Sequence, residues 1–149
     1  YSAKPALDIK RLLRWLCFNF IVGNGHGHAK QLSLVRTTSG PRLAPFYGLM
    51  STHVYPELNP NLAMRIGGED RPDWLIPDRW REFAYAADVR PNYVLEQLDE
   101  LAATLPRLSA EVAEQFQSEH GFNAIIGSIR KLIERRARQA LVSFQAEAV

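Results

Sequence analysis

The chain has 149 residues, of which 46% are hydrophobic and 23% are charged, and its formal net charge is +2. This length suits about one domain, and the composition is that of an ordinary globular protein rather than a disordered one. The small net charge gives no argument for nucleic-acid binding, and no apolar run reaches the roughly 20 residues of a membrane span.

The single cysteine, Cys17, excludes an intramolecular disulfide and suits a reducing compartment. The N-terminus lacks the charged start, apolar middle and small-residue cleavage site of a signal peptide. We therefore predict a cytoplasmic protein with no membrane partner.

The first predicted element is an amphipathic helix that begins after Pro5 and ends at Gly23. Basic residues lie opposite its apolar stripe. The stripe includes Cys17, which predicts a core thiol, and its members are Leu7, Ile9, Leu12, Leu13, Leu16, Cys17 and Phe20.

A glycine-rich loop and a small β hairpin are predicted next. Gly23, Gly25 and Gly27 permit a sharp backbone path. Residues 31–35 are predicted as a strand, Ser39-Gly40-Pro41 as a turn and residues 42–45 as a second strand. Such a hairpin would present residues 47–48 beside the loop.

The rest of the chain is predicted to be mostly helical. Residues 52–77 are rich in Pro, Asn and Gly, which predicts a loop with a short extended segment at 62–66. Helices are predicted over 78–89 and 92–105, then from an N-cap at Ser109, and from Phe122 onward. The predicted fold class is therefore mainly α with a small β hairpin.

Three positions in the loop and hairpin have the layout of the reactive positions of a protein kinase. Such an enzyme uses an Asp as base, an Asn five residues later for Mg²⁺, and a later Asp for the Mg²⁺ that bridges the phosphates. The same five-residue spacing runs here from His26 to Gln31, and by the resemblance described next the later metal-binding position falls on Gly48.

The surrounding residues resemble the C-terminal part of the HipA family, bacterial serine/threonine kinases of toxin–antitoxin modules. That family reads Gly-Asn-x-Asp-x-His-x-Lys-Asn-x-Ser and then Leu-x-Pro-x-Tyr-Asp-Leu-x-Ser-Thr. The segment Met64-Arg65-Ile66-Gly67-Gly68 also resembles the family's Met-Lys-Ile-Gly-Gly. The matches to the two longer patterns are Gly23, Asn24, His28, Lys30, Ser33, Leu43, Pro45, Tyr47, Leu49, Ser51 and Thr52.

The resemblance implies that residues 1–149 form the C-terminal lobe of a kinase-like protein, without its N-terminal lobe. It implies ATP and Mg²⁺ as the family's cofactors, and a helix-turn-helix antitoxin as partner, with DNA associated indirectly. For an active relative it implies a protein substrate such as an aminoacyl-tRNA synthetase.

The replaced residues change the expected chemistry. His26 can accept a proton near neutral pH, Gln31 keeps an amide oxygen on a longer arm, and Gly48 can do neither. Loss of the base costs about 10² to 10⁴ in rate, and loss of the bridging metal costs several kcal/mol more. We predict an inactive pseudokinase that acts through protein binding. The alternative is an active serine/threonine kinase with His26 as base and Gln31 as metal ligand.

Two further loop residues are candidates for nucleotide binding. Lys30 is either a phosphate partner or a solvated lysine beside an inactive site. His28 is predicted to be structural, with its ring hydrogen-bonded to backbone. His26 and His28 on one metal is the less favoured interpretation, since zinc needs three or four protein ligands.

Other polar and aromatic residues have ordinary interpretations. Asp70, Asp73 and Asp78 have no spacing that converges on Gln31, which disfavours them as replacement metal ligands. Trp15 and Trp80 are predicted in the core, and Trp74 is left open. A basic cluster near the C-terminus is predicted to be mostly the solvated face of the last helix rather than a nucleic-acid site, and comprises Arg130, Lys131, Arg135, Arg136 and Arg138.

Overall fold

A computed structural model describes residues 2–145 and confirms the predicted fold class. Within this range one antiparallel two-stranded hairpin accompanies the α-helices. Short 3₁₀ turns cover Ala29–Gln31, Thr52–Val54 and Pro72–Trp74. The helices and strands are α1 (Pro5–Val22), β1 (Leu34–Thr37), β2 (Gly40–Leu43), α2 (Pro77–Ala86), α3 (Pro91–His120) and α4 (Ala124–Gln145).

Helix α1 forms the centre of the core through the later part of its predicted stripe, where Leu13, Cys17 and Phe20 are buried. The earlier members of that stripe are exposed, namely Leu7, Ile9 and Leu12. Pro5 lies in its first turn, and Gly23 ends it in the left-handed conformation with φ of 70°. Cys17 is fully buried, and burial raises the pKa of its thiol to about 12. Trp80 of α2 packs edge-on against Phe20, with ring centroids 5.5 Å apart. The predictions for the core thiol and for Trp80 are confirmed, and Trp15 is also buried.

The hairpin is confirmed, although each strand is displaced by a few residues from its predicted range. Residues 29–31 turn as 3₁₀ helix before β1 begins, and β1 pairs with β2 from Leu34↔Leu43 to Thr37↔Gly40. Asp8 of α1 accepts two hydrogen bonds from the Arg42 guanidinium, both at 2.9 Å. These bonds hold the pKa of Asp8 well below its usual range. The end of β2 is thereby fixed against α1.

The structure contradicts the two separate helices predicted over 92–105 and from Ser109. Helix α3 is continuous and contains Pro106. Ser109 does not cap a helix; its hydroxyl donates to the Pro106 carbonyl at 2.8 Å. Buried residues on both sides of the proline, such as Leu98 and Ala113, continue one apolar stripe, and α3 packs along α4. We attribute the continuity to this packing, which outweighs the hydrogen bond that the proline removes.

The last helix shows that one member of the basic cluster is not on a solvated face. Lys131, Arg135 and Arg138 are exposed, whereas Arg136 is only 3% exposed. Its guanidinium donates to Asp73 at 2.7 Å. A buried charge needs a partner, and the sequence pattern gave no sign of this long-range pair.

No helix in the described residues is both long and apolar enough to cross a membrane.

The loop before α2 is held by a buried carboxylate. Ile66 and Glu69 form an isolated antiparallel bridge, and the Glu69 carboxylate binds Arg71 Nε at 2.8 Å and Nη2 at 2.7 Å. Hydrogen bonds from the Arg71 side chain and backbone lower the pKa of Glu69 from 4.5 to about 2.

This lowered pKa predicts an acid-sensitive contribution to stability. It is complete above pH 4.5 and is lost as the pH falls from 4.5 towards about 2. The destabilisation caused by Glu69→Gln should therefore be smaller at about pH 3 than at about pH 6, as measured by urea unfolding at each pH. Glu57→Gln removes an exposed carboxylate with no ion pair among the described residues and should have the same effect at both. Equal losses for Glu69→Gln at both pH values would contradict the prediction.

Candidate functional site

The glycine-rich loop is organised around the buried side chain of Asn24. Asn24 is 1% exposed, and its Nδ2 donates to Asn19 Oδ1 at 2.8 Å and to the Gly48 carbonyl at 3.0 Å. Its Oδ1 accepts from the His26 backbone N–H at 3.0 Å. One amide thus joins the end of α1, the loop and the segment after the hairpin. Asn24 is therefore a structural residue of the loop.

Asn19 makes this arrangement possible from inside α1. Its Nδ2 donates to the Trp15 carbonyl, which leaves Oδ1 for Asn24. A Cβ at Gly27 would stand 3.1 Å from Asn19 Cγ, so the loop passes too close for a larger residue to fit without a shift. The sequence analysis did not assign Asn19 a role. The sequence signal for a role of Asn19 was its polar side chain among the apolar residues near the end of α1.

The segment after the hairpin closes on the loop from the other side. Thr52 Oγ1 accepts from the Gly25 backbone N–H at 2.8 Å, and Ser51 donates to the Val22 carbonyl at 2.6 Å. The matched Ser51-Thr52 pair therefore holds the loop and contributes no reactive group.

His53 lies directly behind the loop and was missed by sequence reasoning. A Cβ at Gly25 would stand 2.7 Å from His53 Nε2. Burial and the nearby Arg136 charge lower the pKa of His53, so its ring is neutral at neutral pH. Both ring nitrogens are buried, and the Asn61 backbone carbonyl is the nearby acceptor for the single N–H of the neutral ring.

The two loop histidines contact each other. The rings of His26 and His28 lie 5.0 Å apart at 65°, and His26 is exposed. His28 Nδ1 is buried without a hydrogen-bond partner among residues 2–145, and the predicted hydrogen bond from the ring to backbone does not form there. Lys30 is exposed on the adjacent 3₁₀ turn.

The structure brings together the two positions where the kinase pattern has metal ligands. Gly48 has φ of 65°, and a Cβ placed there would stand 3.0 Å from Gln31 Nε2. Gln31 Oε1 is buried and accepts no hydrogen bond from the described residues. The hairpin therefore presents Gly48 to Gln31, as predicted.

These residues do not fit Mg²⁺. This ion prefers octahedral oxygen ligands and is usually bound through one or two carboxylates. Gln31 Oε1 is one neutral oxygen, and the Gly48 carbonyl already accepts from Asn24. No acidic residue lies between Asp8 and Glu57, and Asp8 is bound to Arg42. Within the described residues no group of three His, Cys, Asp or Glu could hold a metal.

The three aspartates that were disfavoured as replacement metal ligands lie close to arginine side chains instead. Asp73 binds Arg136, Asp78 binds Arg81 at 3.0 Å, and Asp70 lies 3.9 Å from Arg65. None of these contacts brings a carboxylate to Gln31.

Comparison with known proteins identifies the family of the chain. Residues 1–115 match the family described as the HipA-like C-terminal domain. The chain belongs to this family. A kinase-like protein of Sinorhizobium fredii, Y4mE, is 34% identical over 142 residues, which are 95% of this chain and 34% of that protein. The serine/threonine-protein kinase toxin HipA of Shewanella oneidensis is 31% identical over 108 residues, which are 72% of this chain and 25% of that toxin.

A solved structure shows the same fold. A chain in the complex of HipA, HipB and operator DNA from Shewanella oneidensis superimposes with a TM-score of 0.86 at 22% identity. The match covers 99% of this chain and 35% of the other. This HipA-like chain therefore spans about a third or less of the length of these relatives.

The Asn24 network predicts a large loss of stability in Asn24→Ala. The substitution removes the partners of Asn19 Oδ1, the Gly48 carbonyl and the His26 N–H. We expect a loss of about 2 to 4 kcal/mol in the free energy of unfolding, measured in urea. Asn92→Ala, at an exposed position on α3, should change it by about 0.5 kcal/mol or less. A loss no greater than that of the control would show that the network does not hold the loop.

Proposed function

We propose that this chain is the C-terminal lobe of a catalytically inactive HipA-like pseudokinase that acts by binding proteins in a toxin–antitoxin system. The observation that carries the proposal is the pair Gln31 and Gly48. Gly48 has no side chain to hold the bridging metal. The Gln31 amide nitrogen lies 3.0 Å from the point where a Cβ at position 48 would stand.

The maintained scaffold supports a binding role. The Asn24 network, the Ser51 and Thr52 contacts and the Asp8–Arg42 pair keep the loop and hairpin in a defined arrangement. These contacts position a surface even where the reactive side chains are replaced. A rigid surface loses less entropy on binding a partner than a mobile loop does.

The relatives suggest the partner. The Shewanella oneidensis structure contains HipA with HipB and operator DNA. By analogy we propose that the protein containing this lobe binds a helix-turn-helix antitoxin in the cytoplasm and associates with DNA through it.

The test is a calorimetric titration of ATP, with and without Mg²⁺, into the protein that contains both kinase lobes. We expect no Mg²⁺-dependent ATP binding and no phosphorylation of serine or threonine substrates. An active HipA relative under the same conditions is the positive control. Steady phosphorylation of any such substrate would overturn the proposal.

The second candidate is an altered kinase in which His26 is the base, Gln31 a metal ligand, and Lys30 and His28 the nucleotide contacts. It is favoured by the buried, unpartnered Gln31 Oε1. Its protein substrate would be of the aminoacyl-tRNA synthetase class. It predicts that His26→Ala abolishes an activity that is measurable in the parent, and no activity in the parent excludes it.

A further inference from the structure

A polar cavity of about 250 Å³ lies behind the glycine-rich loop, between the Pro72–Trp74 turn and α4. It shares no residue with the segment from His26 to Gln31. The lining residues used below are His53, Arg71, Asp73, Trp74, Arg135 and Arg136.

The charges of the lining favour an anion. Three guanidinium groups face one carboxylate, that of Asp73. Arg71 is additionally neutralised by Glu69, which binds it through two nitrogens. Arg135 forms no hydrogen bond or ion pair among the described residues and is exposed at the cavity. It supplies the uncompensated positive charge.

One buried group in this cavity has an unused hydrogen-bond donor. Arg136 is 3% exposed, and its Nε has no acceptor in the described part of the chain. The neutral His53 ring carries a single N–H, for which the Asn61 backbone carbonyl is the available acceptor. A buried donor without an acceptor is rare in folded proteins, and an oxyanion would satisfy Arg136 Nε.

The Asp73 carboxylate lies where a bound anion would lie beside Arg136. It neutralises the buried Arg136, yet its own side chain is 71% exposed and lies on a short surface turn. A carboxylate held in this way can be displaced by a ligand with more charge and more oxygens.

We propose that this cavity binds a phosphoryl dianion, held by Arg135 and Arg136 beside the His53 and Trp74 rings. Three acceptor oxygens and a charge near −2 match the two guanidinium groups. A cavity of about 250 Å³ is smaller than the roughly 300 to 1,000 Å³ of ordinary small-molecule sites, so it suits a phosphoryl group on a short arm rather than a nucleoside triphosphate. The site is independent of whether the loop is catalytic.

The test is a titration of the ¹⁵N-labelled protein with inorganic phosphate or with phosphoserine, followed by NMR of the tryptophan indole and histidine ring signals. Potassium chloride at matched ionic strength is the reference. We expect saturable shifts at Trp74 and His53 and none at the buried Trp80. Tighter binding of phosphoserine would identify a phosphorylated side chain as the source, and equal binding would identify free phosphate.

Variants separate the site from general electrostatics. Arg135→Gln should weaken phosphate binding on the order of tenfold or more, the effect of losing one hydrogen bond to a charged group. Arg138→Gln removes an exposed charge three residues along α4 that does not line the cavity, and should leave the affinity unchanged. Asp73→Asn should strengthen binding, because the competing carboxylate is gone.

Three results would overturn the proposal. They are linear, unsaturated shifts with phosphate, equal losses in Arg135→Gln and Arg138→Gln, and tighter binding of a short single-stranded oligonucleotide than of phosphoserine at the same residues. The last would assign the cavity to nucleic acid, with Trp74 as a stacking surface.

Discussion

Replacing Gly67 with alanine should destabilise the fold by about 2 to 5 kcal/mol. Gly67 has φ of 55°, a left-handed conformation that costs a residue with a Cβ about 1 to 2 kcal/mol. A Cβ there would also overlap the Arg79 carbonyl oxygen, which belongs to the backbone of α2 and cannot rotate away as a side chain could. The loop or the helix must therefore shift. Urea unfolding of the parent and the variant measures the loss.

The neighbouring glycine supplies a matched control. Gly68 has φ of 78°, but nothing lies within 4 Å of a Cβ placed there. Gly68→Ala should therefore lower the free energy of unfolding only through the left-handed backbone conformation, by about 1 to 2 kcal/mol. Equal losses in the two variants would show that the contact with α2 is relieved without cost. Close packing between the loop and α2 therefore requires glycine at position 67 and not at position 68.

The parts of the fold that local pattern determines could be predicted from the sequence. Helix α1 has a proline at its start, an apolar stripe and a terminal glycine, and the hairpin has a turn signal at Ser39-Gly40-Pro41. Elements that depend on distant contacts could not be predicted in the same way. Pro106 ends a helix by local rules, yet α3 continues through it because it packs along α4.

The candidate site shows the same division. The resemblance to the family patterns singled out His26, Gln31 and Gly48, and the predicted hairpin accounts for the approach of Gly48 to Gln31. The sequence did not reveal that His53 lies beneath Gly25 or that Arg136 is buried against Asp73. These residues meet only after α4 packs on the loop, and no local period encodes that approach.

Restoring the kinase-type residues should create a divalent-cation site that the parent lacks. The triple variant His26→Asp, Gln31→Asn and Gly48→Asp adds two carboxylates and a shorter amide where the family pattern has them. The backbone tolerates it, because Asp adopts the left-handed conformation more readily than most residues. The shorter amide also relieves the 3.0 Å approach between a Cβ at position 48 and the Gln31 side chain. Calorimetry should detect Mg²⁺ or Mn²⁺ binding in the variant only.

A second triple variant, with Gly48→Ala in place of Gly48→Asp, tests whether the missing carboxylate at position 48 is the decisive loss. It carries the same backbone strain without the carboxylate and should not gain the cation site. In the protein with both lobes, the Asp-containing triple variant should raise serine/threonine phosphorylation by about 10² or more over the parent, since the base alone is worth about 10² to 10⁴. Equal cation binding by the parent would show that Gln31 and its surroundings already suffice, and the chain would then be an altered kinase rather than an inactive one.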